Sequence, residues 1–179
     1  MLLEDECPLG WGEVCGLAWG KRNAPSVVPM TNERARQTYY GALNLLTQEL
    51  PVAEASPGHG VNTVAYLQWG PTLYPDKKFL FLWEGASYQR SADLQKFLTQ
   101  ENAGLPEAEG KVTCVRFAPN APEQNPVEAV WLKGKPYLRK PFALNQTFAQ
   151  VKDGFSSFLT GLRFTSTKFS WYWPTAELI

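Results

Sequence analysis

The sequence contains one histidine, His59, set in the loop-like stretch ASPGHGVN. A lone imidazole makes neither a catalytic pair nor a zinc site, so histidine-based chemistry is excluded and His59 reads as a solvated loop residue. Cysteine is scarce too. Cys7, Cys15 and Cys114 are odd in number, and Cys7 and Cys15 lack zinc-knuckle spacing, which leaves three reduced thiols serving as small buried hydrophobes. Charge of either sign is not in excess: Lys plus Arg and Asp plus Glu are 17 each. No global field draws the chain to nucleic acid or an anionic membrane, and any such contact must rest on a local patch. No apolar run approaches the roughly 18 residues of a membrane span. The start, MLLEDE, turns acidic within four residues and lacks the basic and apolar segments of a signal peptide, so the expected location is cytoplasmic, without a membrane partner.

What is present suits one domain with one core. The chain has 179 residues, 44% hydrophobic and 19% charged, a globular composition. MLLEDE predicts a very short strand ending in three acids. Cys15 to Met30 predicts strand, turn and extended segment, and RQTYYGALNLL from Arg36 a further strand. Pro51 to Gly60 reads as a loop, followed by a helix capped by Asn62 and reaching Gly70 or slightly beyond. KKFLFLW predicts a central strand over Phe79–Trp83, covered on both faces. Ser91 should cap a helix through Gln100, and KVTCVRF should form another strand. A helix should start at Pro126, with Pro136 ending or kinking it early, and another should span Thr147 to Leu159. This succession predicts an α/β domain with a mixed sheet.

On this outline three carboxylates fall at element ends: Asp5 after the first strand, Glu84 after Trp83, and Glu128 in the first turn of the helix behind the rigid stretch APNAPEQNP. Sites in α/β sheets form where such ends converge. Three carboxylates brought together repel one another unless cations hold them, and a pair of hard divalent ions is the usual solution.

The blocks LLEDECPLGWGEVCGLAWGK, RQTYYGALN, FLFLWEGASYQRS and VRFAPNAPEQNPVEAVW resemble the catalytic domain of bacterial insertion-sequence transposases of the mariner-like superfamily. The resemblance runs from Leu2 to about Arg139. Its most distinctive block contains Pro122, Asn125, Pro126, Glu128 and Trp131. It implies a ribonuclease H-like fold and an aspartate-aspartate-glutamate endonuclease of magnesium or manganese dependence, which cuts DNA and joins the freed 3′-hydroxyl to target DNA. Carried over by motif, the catalytic and metal-holding residues are Asp5, Glu84 and Glu128. DNA, as transposon ends and target, is the implied partner.

The chain departs from the family in three places. Glu84 stands where the family has aspartate, and Gln89 where it has histidine. The extra methylene of Glu84 moves the carboxylate by on the order of 1 Å, beyond the roughly 0.5 Å that such sites tolerate, so metal binding with impaired catalysis is expected. The chain also begins four residues before Asp5, without the helix-turn-helix region the family places ahead. The expectations are an N-terminally truncated protein and a first strand cut short, weakening the sheet at its edge. A non-catalytic remnant is therefore the alternative to a working transposase domain.

Local readings stand beside these. Asn125 as N-cap and Pro126 as the first helical residue place Glu128 where its carboxylate can complete a capping box. Asp5 and Glu84 read locally as solvated acids. Lys133, Lys135, Arg139 and Lys140 form the local basic cluster, suited to DNA phosphates or to a solvated helix face. The expected division is a catalytic domain over residues 1–160 and an aromatic tail over 161–179. The tail, with Phe164, Phe169, Trp171, Tyr172 and Trp173, serves packing or a homodimer contact rather than base stacking.

Overall fold

The computed structural model describes residues 1–14, 21–23, 34–55, 60–84, 91–118, 121–139 and 147–164. Five strands form one mixed sheet: β1 (Leu2–Gly10), β2 (Arg36–Asn44), β3 (Val52–Ala55), β4 (Phe79–Trp83) and β5 (Val112–Arg116), in the spatial order β3-β2-β1-β4-β5. The three N-terminal strands pair antiparallel as a meander, and β4 and β5 join in parallel. The helices are α1 (Gly60–Leu73), α2 (Ala92–Glu101), α3 (Val127–Arg139) and α4 (Phe148–Leu159).

The two-residue period of β1 sorts its side chains between two cores. Leu3, Cys7 and Leu9 join Tyr39 and Leu43 against Val130, Leu138 and Phe155 of α3 and α4. Leu2 joins Tyr40, Phe81 and Trp83 against Leu67, Leu94 and Phe97 of α1 and α2. Each fully buried Leu or Phe contributes about 1.5–3 kcal/mol. Both sheet faces are thus covered, and β1 is the central strand.

Several expectations need correction. The first strand is neither short nor at an edge: it runs nine residues, to Gly10, because Cys7 and Leu9 continue the apolar alternation past the acids. Asp5 consequently lies in mid-strand. Pro8 is tolerated because β1 pairs with β4 only at Leu2↔Phe81 and Leu3↔Leu82, so no ladder bond is lost on that side. Part of the expected loop, Val52–Ala55, is the edge strand β3. The helix α1 starts at Gly60, so Asn62 lies inside it and is not its cap. Pro136 does not end α3, which continues to Arg139. The carbonyl it leaves unbonded belongs to exposed Leu132, and buried Leu138 and the Tyr137–Phe158 ring contact (5.1 Å) hold the last turn.

Other expectations hold. Ser91 caps α2 by accepting from the Leu94 N–H, and Thr147 and Gln150 form a capping box on α4. The segment Cys15–Met30 lies almost wholly outside the described residues, as do His59, Gln89 and the tail beyond Phe164. Among the described residues Cys7 and Cys114 form no disulfide, and Cys7 is buried in the core. Phe164 is also buried, and its N–H donates to the Gln48 carbonyl. Among the described residues no helix is long and apolar enough to cross a membrane.

The α3–α4 contact depends on a missing side chain. A Cβ on Gly134 would lie 2.5 Å from Cε2 of Phe155, inside the packed core. Gly134→Ala should therefore cost about 1–3 kcal/mol, read as a lower denaturant midpoint at unchanged m-value. An undiminished midpoint would mean that the helices can part without loss.

Candidate active site

The parallel β1–β4 ladder ends at Leu3↔Leu82, two residues before Asp5 on β1 and before Glu84, which follows the end of β4 at Trp83. Glu84 lies near enough for its charge to act on Asp5. Side chains two apart share a face. Asp5 therefore points to the same side as Leu3, and Glu84 to the same side as Leu82, which is the α3–α4 side.

The backbone supplies the third member. Ala42 and Asn44 direct their N–H groups to Pro51 and Glu49, so Gly41 and Leu43 face β1, where their partners are Asp5 and Leu3. By alternation the Glu4 carbonyl faces the β4 side, beyond the end of the β1–β4 ladder. There the buried Asn125 takes it: Nδ2 donates to the Glu4 oxygen at 3.1 Å, while Oδ1 accepts from the Val127 N–H at 3.2 Å. One amide thus caps α3 and fastens its start to the strand bearing Asp5. Glu128, three residues after Asn125, lies in the first turn.

Three residues further on, Trp131 donates its indole Nε1–H to Oδ2 of Asp5 at 3.0 Å. The indole lies over Gly41, the β2 partner of Asp5. A Cβ at Gly41 would sit 2.7 Å from Cη2 and Cζ2 of the ring, so only glycine admits it. Neither Asn125, Trp131 nor Gly41 was assigned a role in the site from sequence. The spacing Asn125, Glu128, Trp131 was the available signal, since steps of three residues share a helix face.

Burial pushes the Asp5 carboxyl up to about 7. A backbone hydrogen bond at Glu6 and the Trp131 bond oppose that rise, while the negative charges of Glu84 and Glu128 add to it. Glu84 and Glu128 therefore each lie within electrostatic reach of Asp5. They are not drawn into a closed ligand cluster: among the described residues no group of three His, Cys, Asp or Glu side chains is gathered tightly enough to hold a metal ion. The donor chemistry nonetheless fits magnesium or manganese, since all three are hard carboxylates and the most enclosed of them is destabilised in its charged form.

The basic residues divide by helical position. Lys135 and Arg139 follow Glu128 by seven and eleven residues, near whole turns, and share its face. Lys133 is turned about 140° away, and its ammonium lies 4.6 Å above the centre of the Phe164 ring. Lys140 lies outside the described residues.

No protein-family model matches the sequence, and no curated protein matches it. Solved structures do. The Mos1 transposase paired-end complex with left transposon end superposes with a TM-score of 0.58 at 12% identity, over 96% of this chain and 50% of that one. The Mos1 mariner paired end complex with Mn gives 0.59 at 12% identity, over the same shares, 96% and 50%. The simian T-cell lymphotropic virus intasome in complex with PP2A regulatory subunit B56 gamma gives 0.55 at 8%, over 94% and 52%. The chain spans about half the length of these proteins. What it shares with them at such identities is the fold, a ribonuclease H-like mixed sheet flanked by helices.

The raised Asp5 carboxyl has a consequence for stability. The folded group titrates near 7 against an ordinary value of 3.8, so the folded state holds the extra proton between those values. Its contribution is complete below about pH 3.8 and is lost as pH rises through 7. Without divalent cation this group should remove up to about 4 kcal/mol between pH 4 and 8. Asp5→Asn keeps the shape and an acceptor for Trp131. Melting in chelator should therefore give similar midpoints for parent and variant at pH 4, and a clearly higher one for Asp5→Asn at pH 8. An equal response of both to pH would show that Asp5 is not held in an unfavourable charged state.

Proposed function

We propose that the chain is the catalytic domain of a DDE-type transposase from a bacterial insertion sequence, acting on DNA by strand cleavage and strand transfer. The observation that carries this reading is that Glu84, just past the end of β4, and Glu128, in the first turn of α3, both lie near enough for their charges to act on Asp5 of β1. In this reading Asp5, Glu84 and Glu128 hold magnesium or manganese, residues 1–160 form the catalytic unit, and the tail supports packing or a homodimer. Bound divalent cations supply activation of the attacking oxygen and stabilisation of the leaving one. In this reading the protein would supply placement through Asp5 on β1, held by the Trp131 indole, Glu84 after the end of β4 and Glu128 in the first turn of α3. Lys135 and Arg139, on the Glu128 face, steady the phosphodiester backbone.

A second reading is favoured by one residue. Glu84 is longer by a methylene than the family aspartate, and a non-catalytic remnant retaining the fold would carry such a change. A misplacement of about 1 Å costs on the order of a hundredfold in rate.

Both readings are separated by plasmid nicking at low salt with manganese. The parent should nick slowly and Glu84→Asp on the order of a hundredfold faster. Negligible activity in both, with folding verified by circular dichroism, would support the remnant. Robust nicking by the parent would show that Glu84 is no lesion. DNA affinity tests the basic face separately. Lys135→Gln and Arg139→Gln should each weaken binding and lower the salt slope by about one unit, whereas Lys133→Gln should leave both nearly unchanged. Equal effects at all three positions would argue against this face as the DNA contact.

A further inference from the structure

The geometry points to Trp131 as a positioning residue for the Asp5 carboxylate, with Gly41 as its seat, an assignment that rests on the metal site proposed above. The contact joins residues 126 apart in sequence, Nε1 to Oδ2 at 3.0 Å. The indole is held on every side. It is nearly fully buried, its six-membered ring sits where a Gly41 side chain would be, and Phe155 of α4 packs against it at 6.3 Å between ring centres. Gly41 is the register partner of Asp5, so the ring floor and the carboxylate are carried by adjacent strands.

A donor fixed in this way sets the plane of the carboxylate, and hence the direction of the lone pairs left for a cation. Indole N–H is suited to the task because it donates only and does not titrate. It cannot compete with the carboxylate as a ligand. Trp131 stands one turn beyond Glu128, so one helix both supplies a ligand and orients another, and displacement of α3 would disturb both together. Partners of this kind, hydrogen-bonded to a metal ligand, typically alter metal affinity by roughly 10–100-fold when removed.

The test is Mn2+ binding by electron paramagnetic resonance on parent, Trp131→Phe and Gly41→Ala, with metal-free melting measured on each. Trp131→Phe retains a ring over Gly41 and loses only the donor. It should weaken Mn2+ affinity by roughly tenfold or more while remaining folded. Gly41→Ala should weaken it similarly with the indole N–H still present. Parent-like affinity in a folded Trp131→Phe overturns the positioning role alone. Failure of the parent to bind Mn2+ overturns the metal-site reading and this role with it. If Trp131→Phe does not fold, indole nitrogen-15 spectra of the parent decide: an indole signal displaced in Asp5→Asn should also shift on Mg2+ titration. No such shift at Mg2+ saturation overturns the proposal.

Discussion

A carboxylate in the middle of the best-covered strand of a sheet sets the conditions for the rest of this molecule. Strand β1 is flanked by β2 and β4, and its side chains feed both cores. Asp5 is only partly open to water, and burial raises its titration to about 7. Such a group is tolerated only where its oxygens find donors or a cation. The Trp131 indole and a backbone bond at Glu6 provide donors. The neighbouring acids supply no relief and add their own repulsion.

The docking of α3 follows from the same strand. Asn125 spends both ends of its amide on the join between the helix start and the Glu4 carbonyl. Gly134 lets α4 close against the middle of α3, and Gly41 leaves room for the Trp131 ring. The rigid proline-rich stretch before the helix therefore serves more than a turn. It delivers a capping amide, a carboxylate and an indole to one strand in successive steps of three residues.

Much of this was legible from residue patterns. The apolar run Phe79–Trp83 and the caps Ser91 and Thr147 are local signals, and local signals survive folding. The strand β3 was hidden because Pro51 and the glycines after it mark turns, while four residues of an edge strand carry little periodicity of their own. Asp5 was placed at a strand end because Glu4, Asp5 and Glu6 read as a polar stop. In the fold, Glu4 is wholly buried on the opposite face from Asp5, an arrangement that only packed layers on both sides can impose. The proposed triad could be named by family resemblance, but the contacts around Asp5 could not. Asn125 reads from sequence as a cap and nothing more, and Asn125, Trp131 and Gly41 each meet their partner in the fold across a long stretch of chain.

The early parting of β1 from β4 bears on how exacting this site is about side-chain length. Their ladder closes at Leu3 and Leu82, two residues before Asp5 and Glu84. Continued hydrogen bonding would have locked the two strands about 4.8 Å apart at the carboxylates. Ending it sooner leaves that width to be determined by the carboxylates and whatever they grip, as the opening of a vice is determined by the workpiece. Nothing in the ladder then compensates for the extra methylene of Glu84.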